Sequence, residues 1–302
     1  MAFSVRAPAK DSFLIASLAL LVATGSASAS RPSPPATAET HFVWRVTNLA
    51  TPFYLVGSIH DLTEKDYPLP PIYYAALTNS RRVVFEYNPR QREALARKFG
   101  EAARYPEGKD IESEVAPVTV ALLKKNAWRL QVRFEALRHY RPWAIALRLL
   151  AEQGPLGPSN PRSMDAYLSR EAQRAGKDVG GLETVDEHVA FWREMVESDG
   201  ENLLFYALTH EKTVGVLLDK TREAWKRGDI AALSATNTRL HRANPGLAQK
   251  LLDRRNAIWV ARIEVEMKSG NPTAIVAGTG HFLGPQSVLK LLRERGYRIE
   301  RL

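Results

Sequence analysis

Hydrophobic residues follow two different patterns along the chain. From about residue 90 to residue 270 they recur three and four positions apart, which predicts a series of amphipathic helices. Toward both ends they form short runs rich in β-branched and aromatic types, which predict strands. We therefore expect an α/β fold with α+β character. A central mixed sheet comes from the two ends of the chain, and a large helical insertion forms a layer on it.

Each end of the chain predicts a strand-loop-helix-strand unit. Near the amino end, "HFVWRVTN" and "TPFYLVGS" predict a hairpin, followed by a helix in "PPIYYAALTNS" and a strand in "RRVVFEYN". Near the carboxyl end, "PTAIVAGTGH" predicts a strand, "GPQSVLKLLRERG" a helix and "YRIERL" a last strand. Such units are expected to place parallel strands side by side. Within the helical part, "KDVGGLET" predicts one edge strand.

The same short motif follows a predicted strand in both units. Gly57-x-x-His60 ends the first apolar run, and Gly278-x-x-His281 ends the corresponding run near the carboxyl terminus. Glycine permits a tight turn and a close approach of backbone to a ligand. Ligands of open α/β sheets bind at the carboxyl ends of the strands. We therefore predict that the two imidazoles meet at one edge of the sheet, although nothing local in the sequence forces them together.

Glu86 is the third candidate, because it interrupts the apolar strand "VVFEYN". A buried, ionised and unpaired carboxylate costs several kcal/mol, so Glu86 is expected to have a partner. A salt bridge to Arg81 or Arg82 is one interpretation. The other is a metal site, since two histidines and a carboxylate are a common set for a first-row divalent ion. Such a set leaves coordination positions open for water and substrate.

The first residues of the chain resemble an export signal. Basic residues precede the apolar run "FLIASLALLVAT", and Ala27 and Ala29 follow in the arrangement that signal peptidase cleaves. We expect a signal peptide over residues 1–29, a Pro- and Ser-rich linker over 30–40 and one domain over 41–302. The alternative is an uncleaved anchor. The predicted location is the periplasm, and because the chain has no cysteine, its stability there cannot come from disulfides.

The formal net charge is +9, but the basic residues are scattered among acidic ones along the predicted helices. No dense basic run with interleaved aromatic residues is present, so nucleic acid is not the expected partner. A solvated surface, or a mild attraction to anionic envelope lipids and glycans, is expected instead. The chain contains no phosphate-binding glycine motif. Tryptophans in helical pattern are predicted to lie in the core: Trp128, Trp143, Trp192, Trp225 and Trp259.

Taken together, "LVGSIH", "VVFEYN", "GLET", "RNAIWVARI" and "VAGTGHFLGPQSVLKLLRERGYRIERL" resemble the TraB/GumN family across essentially the whole mature chain. That family is related to the Tiki proteins, which are viewed as metal-dependent peptidases, and more distantly to erythromycin-esterase-like and ChaN-like proteins. The resemblance places His60, Glu86 and His281 on metal or catalytic positions. It places Glu183 and the pair Arg255–Asn256 on further family motifs. His188 stands where the family leads us to expect a Gln-like residue, and we interpret it as surface variation and not as an added ligand.

Residues and resemblance together predict an exported metal-dependent hydrolase that acts on a peptide or small acyl substrate. His60 and His281 would bind Mn, Co or Zn, with Glu86 as third ligand or general base. Arg255 would steady the charge that develops in the reaction, or would instead form a structural pair with Glu86 or Glu183. The sequence does not fix the substrate, the metal or the oligomeric state.

Two other functions stay open at this point. In a metal-free, esterase-like hydrolase, His60 would act as general base and Glu86 would orient it. By resemblance, the protein is alternatively a binding or accessory protein, since relatives have been linked to exopolysaccharide clusters, pheromone shutdown and haem or iron handling. Asp61 is interpreted either as a group that orients His60 or as a loop cap. Asp165 is predicted to be a helix cap or packing partner, and "EQGPLGPSNPRS" a surface loop or lid.

Overall fold

The computed structural model describes residues 40–302 apart from 61, 153–162, 198–199 and 244. The predicted signal peptide, nearly all of the predicted linker, Asp61 and most of the predicted lid segment lie outside these residues. Among the helices that are described, none combines the length and the apolar character that a bilayer span requires.

Six strands form one mixed sheet, as the pattern predicts. They are β1 (Val43–Val46), β2 (Phe53–Ser58), β3 (Arg82–Tyr87), β4 (Asp178–Glu183), β5 (Thr273–Gly278) and β6 (Ile299–Arg301). Their order across the sheet is β4-β3-β5-β2-β1-β6. Strands β4, β3, β5 and β2 run parallel to one another, whereas β1 pairs antiparallel with both β2 and β6. The predicted hairpin and the predicted edge strand β4 are confirmed.

Two central strands, β2 and β5, are the most apolar and the most buried of the sheet. Every residue of "FYLVGS" is buried, and in "TAIVAG" all but the last are. Strands that are covered on both faces are expected to show such continuous apolar runs instead of an alternating pattern. The two strands pair in register, so that Gly57 lies opposite Ala277 and Ser58 opposite Gly278. Both Gly-x-x-His motifs therefore leave the sheet at neighbouring positions.

The prediction that each unit places its own two strands side by side is wrong. Strand β5 inserts between β2 and β3, and β6 lies beyond β1 at the edge of the sheet. The central positions go to the two strands with the most buried apolar surface, and these come from different units. Because β5 pairs with β2 and not with β6, the two strands that precede the Gly-x-x-His motifs lie side by side.

In sequence, most of the helices lie between β3 and β5, two strands that are neighbours in the sheet. The helices are α1 (Pro71–Thr78), α2 (Arg92–Ala102), α3 (Ile111–Glu114), α4 (Pro117–Asn126), α5 (Phe134–Leu137), α6 (Pro142–Glu152), α7 (Met164–Arg174), α8 (Val185–Glu197), α9 (Gly200–Thr209), α10 (Glu211–Lys226), α11 (Ile230–Ala243), α12 (Pro245–Ala248), α13 (Arg254–Lys268) and α14 (Val288–Glu294). Short 3₁₀ turns at 64–66, 89–91, 127–130 and 279–282 and a π-helical turn at 249–253 connect them.

Two main hydrophobic clusters divide the interior. The larger one surrounds the sheet and includes Trp225 and Trp259. The second lies within the helical part, where α4, α6 and α9 pack on one another around Leu123, Leu149 and Leu204. Trp143 is buried as predicted, and Trp192 is partly buried. Trp128 is not a core residue, because 72% of it is exposed.

Gly181 in β4 offers a test of how closely the edge strand must pack. A Cβ atom at this position would lie 2.3 Å from the backbone nitrogen of Asn88 and 2.6 Å from the carbonyl carbon of Tyr87. Because these are backbone atoms, no side-chain rotation relieves the clash. We expect Gly181→Ala to lower the free energy of unfolding by about 2 kcal/mol or more, measured by urea denaturation.

The matched control is Gly100→Ala in α2, where a Cβ atom meets nothing within 4 Å. Alanine suits a helix interior better than glycine, so this variant should be about 0.5–1 kcal/mol more stable than the parent. Equal stability of the two variants would contradict the packing of β4 on β3.

Candidate active site at the carboxyl rim of the sheet

Hydrogen bonds tie the two Gly-x-x-His loops to each other. The Thr279 hydroxyl donates to the carbonyl of Ser58 at 2.9 Å. The indole N–H of Trp225 lies 3.1 Å from both the Gly57 carbonyl and the Thr279 oxygen. Gly57 is required at this crossing, since a Cβ atom there would lie 2.8 Å from Thr279 Oγ1 and 3.0 Å from the Cβ of Phe42. The loop that carries His60 and the loop that carries His281 are thus held as one unit.

Glu86 lies on β3, next to the end of β5. Its Oε1 accepts a hydrogen bond from the backbone N–H of Gly278 at 2.9 Å, and its Oε2 accepts one from Arg255 Nη2 at 2.7 Å. The interpretation of a salt bridge to Arg81 or Arg82 is wrong, because the cation that Glu86 pairs with is Arg255. Burial raises the pKa of Glu86, but Arg255 and the two nearby imidazoles outweigh it. The pKa therefore lies far below its usual range, and the carboxyl group is ionised.

Arg255 begins the buried face of α13 and connects two carboxylates. Its Nε donates to Glu183 Oε1 at 2.6 Å and its Nη2 to Glu183 Oε2 at 3.0 Å, in addition to the bond to Glu86. The guanidinium carbon lies 4.4 Å from the ring centre of Phe191 and 4.6 Å from that of Trp259. The structural pairing of Arg255 is therefore present with both acids. A single buried cation compensates Glu86 and Glu183, with cation–π contacts from the two rings.

His281 is fixed in one tautomer. Asn256 Oδ1 lies 2.7 Å from Nδ1, and the Asn256 amide nitrogen is oriented by the carbonyl of Gln286. The other ring nitrogen, Nε2, lies 3.3 Å from Arg255 Nη1, which only donates. The proton therefore resides on Nδ1. Burial and the charge of Arg255 lower the pKa of His281 to about 4, so its imidazole is neutral near pH 7.

His60 has the opposite surroundings. Its Nδ1 lies 3.1 Å from Asp165 Oδ2, and the hydroxyl of Ser58 donates to Asp165 Oδ1 at 2.7 Å. Desolvation lowers the pKa of His60, but the negative charge of Asp165, with a smaller contribution from Glu86, raises it more, to about 9. The side chain remains 44% exposed, so it can reach a molecule outside the protein. His60 is thus the imidazole of this site on which a positive charge is stabilised.

Of the two roles predicted for Asp165, helix cap and packing partner, the cap is wrong. The residue lies in the first turn of α7, but the cap of that helix is Ser163, whose Oγ accepts the N–H of Ala166. Asp165 instead contacts His60 and Ser58. More than a hundred residues separate it from His60, and "SMDAY" has the composition of an ordinary helix start. No local signal in the sequence reveals this contact.

His188 is also not surface variation, because it is only 4% exposed. Its Nε2 accepts the indole N–H of Trp192 at 3.2 Å, so the proton is on Nδ1, which donates to Glu183 Oε2 at 2.8 Å. Both ring nitrogens are therefore bonded to protein groups, as expected for a residue that orients Glu183.

A model of the TraB/PrgY/gumN family matches residues 42–301. The chain belongs to the TraB/PrgY/gumN family. No curated protein and no solved structure matches it. The TraB/PrgY/gumN match includes every residue of the site described above, from His60 to His281.

In this TraB/PrgY/gumN chain, the predicted metal ligands His60, Glu86 and His281 are near enough to affect one another's pKa values. They are not arranged to coordinate one ion together. Among the residues that the structure describes, no group of three or more His, Asp or Glu side chains is arranged to hold an ion. Both oxygens of Glu86 already accept protein N–H groups, and Nε2 of His281 lies against Arg255. This arrangement does not fit an ion with three protein ligands. The predicted Mn, Co or Zn ion stays a prediction.

Removal of the central guanidinium tests the charge balance of the site. In Arg255→Met, Glu86 and Glu183 lose the cation that compensates them while both remain buried. We expect a loss of about 3–5 kcal/mol in the free energy of unfolding, measured by urea denaturation near pH 7. The neighbouring Arg254 pairs with Glu194 on the surface, where both side chains are more than half exposed. Arg254→Met should therefore cost less than about 1 kcal/mol, and similar losses in both variants would contradict a central role of Arg255.

Proposed function

We propose that this protein is a hydrolase that cleaves a peptide or similar acyl bond, with His60 as the residue that transfers the proton. The observation that carries this proposal is the different neighbour of each imidazole. Asp165 faces Nδ1 of His60 at 3.1 Å, whereas Arg255 faces Nε2 of His281 at 3.3 Å. A carboxylate stabilises an imidazolium, and a guanidinium opposes one. Only His60 is therefore suited to carry a proton through a reaction cycle.

The reaction requires one proton transfer in each direction. In its neutral form, which a pKa of about 9 makes predominant only at alkaline pH, His60 accepts a proton from water on Nε2 while the water oxygen attacks the acyl carbon. Asp165 holds Nδ1 and stabilises the imidazolium that forms. His60 then returns the proton to the leaving nitrogen or oxygen as its bond to the acyl carbon breaks. The products are a carboxylic acid and an amine or alcohol.

The remaining residues hold this arrangement in place. Asp165, and not Glu86, is the carboxylate that orients His60, which changes the metal-free alternative drawn from the sequence. Glu86 contributes a fixed negative charge that favours the imidazolium form of His60. Arg255 is a positioning residue, because it donates to Glu86, Glu183 and His281 at once. The one free lone pair of His281, on Nε2, faces Arg255 Nη1, so His281 also acts as a positioning residue.

Substitution of His60 tests this assignment. We expect the purified protein to hydrolyse members of a panel of peptides and small esters, followed by mass spectrometry. His60→Ala and Asp165→Asn should each lower kcat/KM by about 10²–10⁴-fold, the usual contribution of a general base. His139→Ala is the matched control, since His139 is exposed and far from the site in sequence; it should behave as the parent. Circular dichroism establishes that each variant is folded. A folded His60→Ala variant with full activity would refute the assignment.

Metal removal separates the two hydrolytic mechanisms. Acid–base chemistry on His60 and Asp165 predicts that activity survives exhaustive chelation. If activity is lost and then restored by Mn, Co or Zn, the water is activated by an ion instead, and the role assigned to His60 is overturned. Stoichiometric binding of haem or metal without hydrolysis of any panel member would instead support a binding or accessory protein.

A further inference from the structure

Trp128 protrudes from the surface of the helical part. It is 72% exposed, whereas Trp44, Trp143, Trp225 and Trp259 are each less than 5% exposed. It lies in a single 3₁₀ turn at residues 127–130. Gln131 ends that turn in the left-handed conformation, with φ at 55°. A large apolar side chain at this position makes no contribution to the core, so its exposure calls for another explanation.

Basic residues surround this tryptophan in sequence. The segment from residue 115 to residue 134 contains no aspartate or glutamate, and its charged residues are Lys124, Lys125, Arg129 and Arg133. Lys125 and Arg133 are exposed. Lys124 pairs with Glu112, and Arg129 donates to the carbonyl of Ala207. Lys124 is therefore compensated and Glu135 is exposed just beyond the segment, so the positive charge that this surface offers comes from Lys125 and Arg133.

Helix α4 extends the same surface. Val118, Ala121 and Lys125 follow one another at intervals of three and four residues, which places them along one side of α4, and Trp128 follows in the 3₁₀ turn directly after that helix. Val118 is 55% exposed, and Ala121 is exposed as well. The chain returns toward α4 after this turn, since Lys124 Nζ lies 4.8 Å from the ring centre of Phe134. We call Val118, Ala121, Lys125 and Trp128, together with Arg133 next to Phe134, the Trp128 face.

We propose that the Trp128 face docks on a lipid bilayer that contains anionic lipid. An indole with an apolar body and one N–H donor is suited to the boundary between headgroups and acyl chains. Lysine and arginine next to it are attracted to anionic headgroups, and their long stems lie along the apolar surface. The proposal does not depend on the hydrolase function.

The size of the apolar surface favours a bilayer over a protein partner. One indole, one valine and one alanine form a far smaller apolar area than the roughly 800 Å² per partner that a stable protein interface buries. A bilayer does not need a large complementary surface, since a few inserted side chains and several cations act together. The charge is complementary to anionic lipid and not to a neutral membrane.

Vesicle binding tests the proposal. Sedimentation with phosphatidylcholine vesicles that contain phosphatidylglycerol should carry the protein down at low salt, and vesicles of phosphatidylcholine alone should not. Because the apolar amino-terminal segment can itself bind lipid, the readout is the difference between variants of the same full chain.

Trp128→Ala should weaken binding about tenfold or more. Lys125→Glu and Arg133→Glu should each weaken it about fivefold or more, and less so at high salt. Val265→Ala is the control, because Val265 is 68% exposed on α13, outside this face, and should bind as the parent.

Fluorescence gives a second readout. The emission of Trp128 is obtained by subtracting the tryptophan emission spectrum of Trp128→Phe from that of the parent. This difference spectrum should shift to shorter wavelength when anionic vesicles are added. Binding that is unchanged in Trp128→Ala would overturn the proposal, as would absence of binding to anionic vesicles at low salt. Equal affinity for a soluble acidic polysaccharide, insensitive to Trp128→Ala, would show a general polyanion surface and would also overturn it.

Discussion

The parallel pairing of β2 with β5 is the constraint on which the rest of the structure depends. It joins residues near the two ends of the chain in exact register, Gly57 to Ala277 and Ser58 to Gly278. Every feature of the site is a consequence of this pairing. The Thr279 hydroxyl meets the Ser58 carbonyl, Trp225 binds both loops, and Gly278 presents its N–H to Glu86 on the other side of β5. Without it, His60 and His281 have no common location.

Charge compensation is the second constraint, and Arg255 supplies it. Two ionised carboxylates lie within hydrogen-bonding distance of one guanidinium, and a neutral imidazole accepts from the same group. The charge around the two imidazoles differs, because His60 contacts the carboxylate of Asp165 and His281 contacts the guanidinium of Arg255. This difference, and not the presence of two histidines alone, distinguishes the chemical roles of the two imidazoles.

The hydrophobic pattern predicts the strands, the helical insertion and the edge strand, because buried sheet residues and amphipathic helices leave periodic signatures. It cannot predict that β5 separates β2 from β3, because the choice of neighbour depends on which strands bury the most surface together. The repeated Gly-x-x-His motif and the isolated acid Glu86 were enough to nominate three residues of the site. The contact of Asp165 with His60 is not predicted, since more than a hundred residues separate the two and "SMDAY" resembles an ordinary helix start. The partners of His188 are near in sequence, but its position on a helix face does not reveal that it is buried against them. Trp128 was misassigned for a related reason: helical spacing does not reveal which residues the rest of the fold leaves uncovered.

The position of β5 between β2 and β3 has a consequence for biosynthesis. Strands β2 and β3 leave the ribosome early, whereas β5, the strand that joins them, follows only after the whole helical part has been made. Closing so long a stretch of chain is slow compared with forming local helices. The middle helices can therefore assemble on their own core while the sheet still lacks its centre. The cluster of His60, Glu86 and His281 arises only once β5 has paired with β2, so a chain that stops before β5 cannot form it.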